Sequence, residues 1–408
     1  MTEWLQDPEF WKYISIPFIA SLIGWVTNWL AIKLTFYPLE FVGIRPFFGW
    51  QGIIPSKARK VAAISVDATL SKISTVRGIF EQIGPEVLAC HIVETVTPRI
   101  QEYVDELMLN EHPTLWENLP VSVRERVYER VRKKTPTLVE NLLDDVSHNI
   151  EELFNLKQVV TDQLTEDKQL LNRIFLECGH KEFKFIINSG AWMGFIFGLI
   201  QMGVWYFFQS GWVLPIAGLI VGFATNWIAL NVIFRPLNPI AIGPYKLHGL
   251  FLQRQKEVTA SFCNIIAHEI LTTSNIINAL LTGHNAERTK NMVKKHIKPI
   301  VDDSAGLMKP LTQIAIGPKH FAKLKQHVGN KAVEISAGTF NDSAFNNDRA
   351  EVVKNIMREK MEKLSSEEFQ ELLRPCFQED EIKLILVGAA LGFAAGLVQL
   401  IFIFGSAN

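Results

Sequence analysis

Residues 17–39 read PFIASLIGWVTNWLAIKLTFYPL, and residues 215–237 read PIAGLIVGFATNWIALNVIFRPL. Aligned without gaps, nine of the 23 positions are identical: the leading Pro, Gly24 with Gly222, the Thr-Asn-Trp triplets, an Ala, a Phe and the closing Pro-Leu. A second pair, GAWMGFIFGLIQ at 190–201 and GAALGFAAGLVQ at 388–399, is identical at seven of 12 positions. The offset is common to both pairs, since 215 − 17 and 388 − 190 each give 198. The chain therefore reads as a tandem duplication of one unit that opens and closes with an apolar stretch of membrane length.

Four stretches carry the run of about 20 mainly apolar residues needed to cross a bilayer: 14–36, 185–208, 213–234 and 384–404. Lys33 is the one formal charge inside them, placed where its long stem reaches the headgroups. The middle two are joined by Gln209, Ser210, Gly211 and Trp212, an uncharged turn suited to a helical hairpin. Arg45, Lys57, Arg59 and Lys60 follow the first stretch, and Arg235, Lys246, Arg254 and Lys256 follow the third. By the positive-inside rule those ends face the cytoplasm. The acidic first residues (Glu3, Asp7, Glu9) and the uncharged Gly405 to Asn408 are then expected outside.

The expected units are 1–209, with span 14–36, helical lobe 40–184 and span 185–208, and 210–408, with span 213–234, lobe 238–383 and span 384–404. Each holds an even number of spans, so both enter the membrane in one direction as parallel repeats. The lobes show apolar residues at helical spacing in 57–74, 121–134, 137–154 and 350–363, with Pro120 and Pro136 expected to bracket one helix. The predicted fold is an all-α integral membrane protein with four transmembrane helices and two helical cytoplasmic lobes.

Composition agrees with a part-membrane, part-aqueous chain. Of 408 residues, 48% are hydrophobic, and 20% are charged, too many for a purely intramembrane protein. With 41 basic and 42 acidic residues the formal charge is −1, which gives no reason to expect nucleic acid as a partner. The first 12 residues lack the basic region and cleavage site of a secretory signal, so the first apolar run is expected to remain as an anchor. The four cysteines form no CxxC pair and are read as reduced thiols, without metal or disulfide. His268-Glu269 begins like a zinc-protease helix, but position 272 is Thr where a second His is required. No catalytic grouping emerges, so neither enzyme activity nor a cofactor is expected.

Three groups of residues are candidates for function. Thr27, Asn28 and Trp29, with Thr225, Asn226 and Trp227, put amides and hydroxyls inside hydrocarbon, where an unpaired polar group costs several kcal/mol. They either form hydrogen bonds between the two copies or build a polar site at the repeat axis for a lipid headgroup, ion or small solute. Gly190, Gly194 and Gly198, repeated as Gly388, Gly392 and Gly396, form a smooth stripe that Gln201 and Gln399 extend, read as a packing seam against the Thr-Asn-Trp spans. Trp50 with Lys57, Arg59 and Lys60, and later Lys246, Arg254 and Lys256, pair an interfacial aromatic with basic charge, a pattern that suits anionic headgroups. The basic runs 124–134 and 287–298 read as solvated helix faces.

The combination Gly24-x-x-Thr27-Asn28-Trp29-x-Ala31-Ile32-Lys33, a following Phe36-x-Pro38, Gly52-Ile53-Ile54-Pro55-x-Lys57 and the closing Gly-x-x-x-Gly-Phe-x-x-Gly-Leu-x-Gln resembles the bacterial membrane proteins catalogued as domain of unknown function 445. The resemblance covers almost the whole chain and implies an envelope-associated, mainly helical membrane protein with no assigned activity. The second copy departs from the pattern: Asn231 replaces Lys33, and Leu250 to Arg254 replace Ile53 to Lys57. The expected function is a non-enzymatic scaffold or lipid-contacting module of the inner (plasma) membrane, with membrane lipids and an unidentified protein as partners. The alternative is a transporter or channel for lipid or a small solute.

Overall fold

The computed structural model describes residues 8–44, 48–72, 75–208, 210–242, 245–305, 318–371 and 381–401. Arg45, Phe47, Gln209, Cys376 and the two chain ends lie outside the described residues. Helices dominate, and four are long and apolar enough to span a membrane: Tyr13–Phe36, His180–Phe207, Val213–Phe234 and Glu381–Gln399. We refer to them as spans one to four. The chain divides into two compact units, and each draws on both halves of the sequence.

The first unit comprises Met1–Lys72, Val160–Phe262 and Lys360–Asn408, and contains all four spans. Spans one and two are antiparallel and touch backbone to backbone. A Cβ on Gly24 would stand 2.2 Å from the Gly190 carbonyl oxygen, one on Gly194 2.5 Å from that of Ala20, and one on Gly198 2.6 Å from the Pro17 Cα. Spans three and four meet in the same way, with 2.3 Å between a Cβ on Gly222 and the Gly388 oxygen and 2.2 Å between one on Gly392 and the Gly218 oxygen. A span has no hydrophobic reason to leave lipid for another span, so dispersion between closely fitted backbones supplies the attraction. At the far end of the bundle, Ile16, Trp205 and Leu214 form a buried apolar cluster.

After spans one and three the chain passes a cis Tyr37-Pro38 or Arg235-Pro236 bond and forms a small antiparallel hairpin. Strand β1 (Val42–Ile44) pairs with β2 (Phe48–Trp50), and β3 (Ile240–Ile242) with β4 (Tyr245–Leu247). These strands correct the expectation of lobes that are helical throughout. Gly43, at φ 133°, adopts a backbone that favours glycine, and a Cβ there would lie 2.2 Å from the Phe48 oxygen. Each connector then closes back on its span: the Gly52 amide donates to the Pro38 oxygen at 2.9 Å and Gly249 to Pro236 at 3.0 Å. Short helices Ile53–Ser56 and Leu250–Gln253 follow.

The second unit, Ile73–Val159 with Cys263–Glu359, is a helical assembly. The sequence assigns these stretches to two lobes, whereas here they share one core. Thr75 and Thr272 cap corresponding helices, their hydroxyls accepting from the Gly78 and Asn275 amides at 3.1 Å. The helix Val121–Leu153 runs through Pro136, which was expected to end it. Tyr128, Thr135, Val139, Leu143, Val146, Ile150 and Leu153 form one buried stripe along it, and the helix packs on Val76–Ile83, Pro85–Val96 and Ile100–Glu111 of its own half and on Ala286–Ala305 from the other. That continuous burial outweighs the one backbone bond a proline removes. The Tyr128 hydroxyl and the Trp116 indole both donate to Asp105, and burial together with the Asp105 hydrogen bond pushes the Tyr128 phenol up to about 12.

Alanine at Gly24 or Gly392 forces the backbones apart and should cost about 1–3 kcal/mol or more by overpacking. Alanine at Gly203, with nothing within 4 Å of its Cβ, should be neutral or gain up to about 1 kcal/mol of helix propensity. Thermal unfolding in detergent separates the two classes.

Candidate functional site

The Thr-Asn-Trp residues occupy three different faces of their helices, because successive residues turn by about 100°. Asn28 is wholly buried, and its Nδ2 donates to the Ile186 carbonyl of span two at 2.8 Å. Asn226 Nδ2 donates in the same way to the Leu384 carbonyl of span four at 3.1 Å. The glycine four residues beyond each acceptor makes the approach possible, since a Cβ on Gly190 would lie 2.6 Å from Asn28 Nδ2 and one on Gly388 2.1 Å from Asn226 Nδ2. Both bonds run within a half of the sequence, which corrects the reading that they cross between copies. Thr27 and Thr225 donate to Gly24 and Gly222 of their own helices. Trp29 and Trp227 face outward, exposed, and the Lys33 ammonium sits 5.0 Å from the Trp29 ring centroid.

The basic candidates divide. Trp50 lies on β2 and its indole donates to the Leu34 oxygen at 3.0 Å, which folds the hairpin back beside the last turn of span one. Val42, Ile44 and Phe48 are exposed on this hairpin, Phe48 to 81%, and Ile240 is exposed on the second. Arg59 and Lys60 are exposed on the helix Ala58–Lys72, with Asp162 at 3.8 Å from Arg59, and Lys57 is half-buried. Lys256 is exposed, while the Lys246 side chain lies outside the described residues.

Arg254 does not stand ready for a headgroup. Its Nη1 holds both carboxylate oxygens of Glu182 at 2.6 and 2.7 Å, and its Nε donates to Glu257 at 3.0 Å. Lys181 completes the chain with a 2.8 Å bond to Glu257. The Glu182 side chain is only 5% exposed. Sequence reasoning passed over Glu182; the signal for it was an acidic residue in the first turn of a membrane helix, where the helix dipole favours negative charge. The Arg254 guanidinium, and after it the Lys181 ammonium, hold the Glu257 carboxyl at about 2, down from 4.5.

Among the described residues of this unit, two cavities bear on function. One of about 60 Å³ is walled by side chains that include Ile32, Phe183, Leu230, Phe234 and Cys178, with Glu182 and Glu381 at its edge. The other, about 20 Å³, sits mid-bundle among Thr27, Gln201, Gln399 and glycines of spans one, three and four. Cys178 and Cys376 stand 198 residues apart, the same spacing as between the two matched pairs of apolar segments. Among the described residues, no cluster of three or more His, Cys, Asp or Glu could hold a metal ion.

A stretch of 114 residues is 32% identical to a UPF0754 membrane protein of Shouchella clausii, covering 26% of this chain and 30% of that protein. A stretch of 128 residues is 23% identical to UPF0754 membrane proteins of Staphylococcus aureus strains JH9 and Newman, covering 31% of this chain and 33% of theirs. The chain thus spans about a third of the length of the curated relatives it matches. No family model matches the chain. No solved structure matches it either. The relatives and the four apolar helices support a membrane protein similar to an uncharacterised bacterial family. The narrower likeness to domain of unknown function 445 rests on the motifs quoted above.

Removing Arg254 leaves Glu182 buried without a counter-charge, so Arg254→Met should cost about 3–5 kcal/mol. The double variant with Glu182→Gln should recover most of that, read as melting temperature in detergent. The depressed Glu257 carboxyl contributes stability that is complete above about pH 4.5 and lost as pH falls through about 2. The melting-temperature gap between wild type and Glu257→Gln should therefore stay constant above pH 5 and close toward pH 2. A gap that does not narrow there rules out this ion pair as its source.

Proposed function

We propose that the chain is a non-enzymatic, membrane-anchored scaffold of the bacterial inner membrane that holds anionic lipid headgroups with its two hairpins and the basic residues of the helices that follow them. In this reading the halves are duplicated parallel repeats, the helices outside the spans lie in the cytoplasm, and both termini lie outside. The observation that carries it is the first hairpin. Its exposed Val42, Ile44 and Phe48 would be a liability in water, but they sit on a strand pair that Trp50 ties to Leu34, in the last turn of a span. Apolar and aromatic side chains at that depth suit the bilayer interface. Exposed Arg59 and Lys60 follow within a few residues, and Lys256 takes the corresponding place in the second half.

The transport reading has less support. It requires Asn28 and Asn226 to offer their amides to a solute, and both already donate to carbonyls of the neighbouring span.

Each basic residue near an anionic surface contributes about 1 kcal/mol. Reversing three charges, Arg59→Glu, Lys60→Glu and Lys256→Glu, should lower retention of phosphatidylglycerol by at least about ten-fold. Native mass spectrometry of the protein from mixed phosphatidylglycerol and phosphatidylcholine nanodiscs measures this. Equal retention by a folded variant would sink the headgroup reading.

A further inference from the structure

We infer that the cavity between the two pairs of spans holds a binding site for one ordered water molecule, bridging Gln201 of span two and Gln399 of span four. The cavity there measures about 20 Å³ and is bounded by Thr27, Gln201, Gln399 and the backbones of Gly24, Gly222 and Gly392. A water needs roughly 10–15 Å³ and two to four polar partners. The glycines only make room; the polar groups identify the ligand. Gln399 is 3% exposed, lines the cavity, and its Nε2 is buried without a hydrogen-bond partner. An amide nitrogen so placed is a donor in need of an acceptor.

The chemistry selects a small neutral molecule that both accepts and donates. A cation is disfavoured because the Gln399 Nε2 hydrogens would point at it and no carboxylate lines the cavity. A longer solute does not fit the volume. Water satisfies the Gln399 donor and can return a hydrogen bond to the Gln201 amide, which lines the same cavity. Gln201 and Gln399 stand 198 residues apart, one from each half, so the molecule would tie the pair of spans one and two to the pair of spans three and four. The inference stands on the packing of this bundle and is independent of any headgroup contact.

The sign of one substitution tests it. If the cavity is dry, Gln399 Nε2 is an unsatisfied buried donor, and Gln399→Met, close in shape, should raise the melting temperature in detergent. If water is bound, the same change removes its partner and should lower the melting temperature. The loss should be shared with Gln201→Met, so that the double variant falls by less than the sum of the singles. Cryo-electron microscopy of the wild type at a resolution that shows ordered waters should place a single peak within hydrogen-bond reach of Gln399 Nε2. An empty cavity, or density too long for one water, would overturn the proposal even if the variants fail to fold.

Discussion

An asparagine amide bonded to a carbonyl on the neighbouring helix, directly over a glycine, is the contact on which the membrane unit depends. Asn28 on Ile186 and Asn226 on Leu384 each require Gly190 or Gly388 beneath them, because a side chain there would occupy the position of the amide nitrogen. The same glycines set the distance between backbones. One feature therefore gives the amide nitrogen an acceptor inside hydrocarbon, fixes the register of two antiparallel helices, and opens the close approach from which dispersion gains. Interhelical bonds of this kind contribute about 0.6–2 kcal/mol each. Their greater effect is to exclude other registers, since a slip of one turn would strand the amide in lipid.

Where the spans leave the apolar layer, a different interaction takes over. Glu182 begins span two and Arg254 follows the second hairpin, 72 residues later, and their bidentate bond is largely withdrawn from water. Such a pair is weak evidence for net stability because both ions are desolvated. It does define a partner, and Glu257 and Lys181 extend it into a chain of alternating charge that joins a span of the first half to the connector of the second. Arg254 thereby differs from Arg59 and Lys256: identical charge, read identically from sequence, but one is a structural tie and the others are exposed.

The parts legible in the sequence were those with long periodicity. The spans declared themselves by length and hydropathy, and the glycine stripes by their four-residue spacing. Spacing names a face and not the partner on it, so the sequence leaves open both bonds between the halves and a polar site for Asn28 and Asn226, whereas their amide nitrogens bond within each half. Strands of three residues carry too little alternation to be seen, and Pro136 looked like a boundary because the stripe running through it is apparent only once its partner helix is known. Glu182 was invisible for a related reason. A lone acid at a helix start is commonplace until an arginine far along the chain is brought against it.

The interleaving of segments carries a consequence for how the protein is assembled. Each compact unit takes stretches from both halves: 73–159 has its core completed by 263–359, and spans one and two are joined in one unit by spans three and four. Neither half of the sequence contains all the partners its own helices bury. The helix Val121–Leu153 packs on helices of its own half and also on Ala286–Ala305, so the first half, emerging alone, would leave that part of its apolar stripe uncovered until the second arrives. Long-range closure of this kind slows folding, because loop entropy is lost before contacts reward it. The two halves share both units, and Gln201 and Gln399, one from each half, line one cavity in the membrane unit.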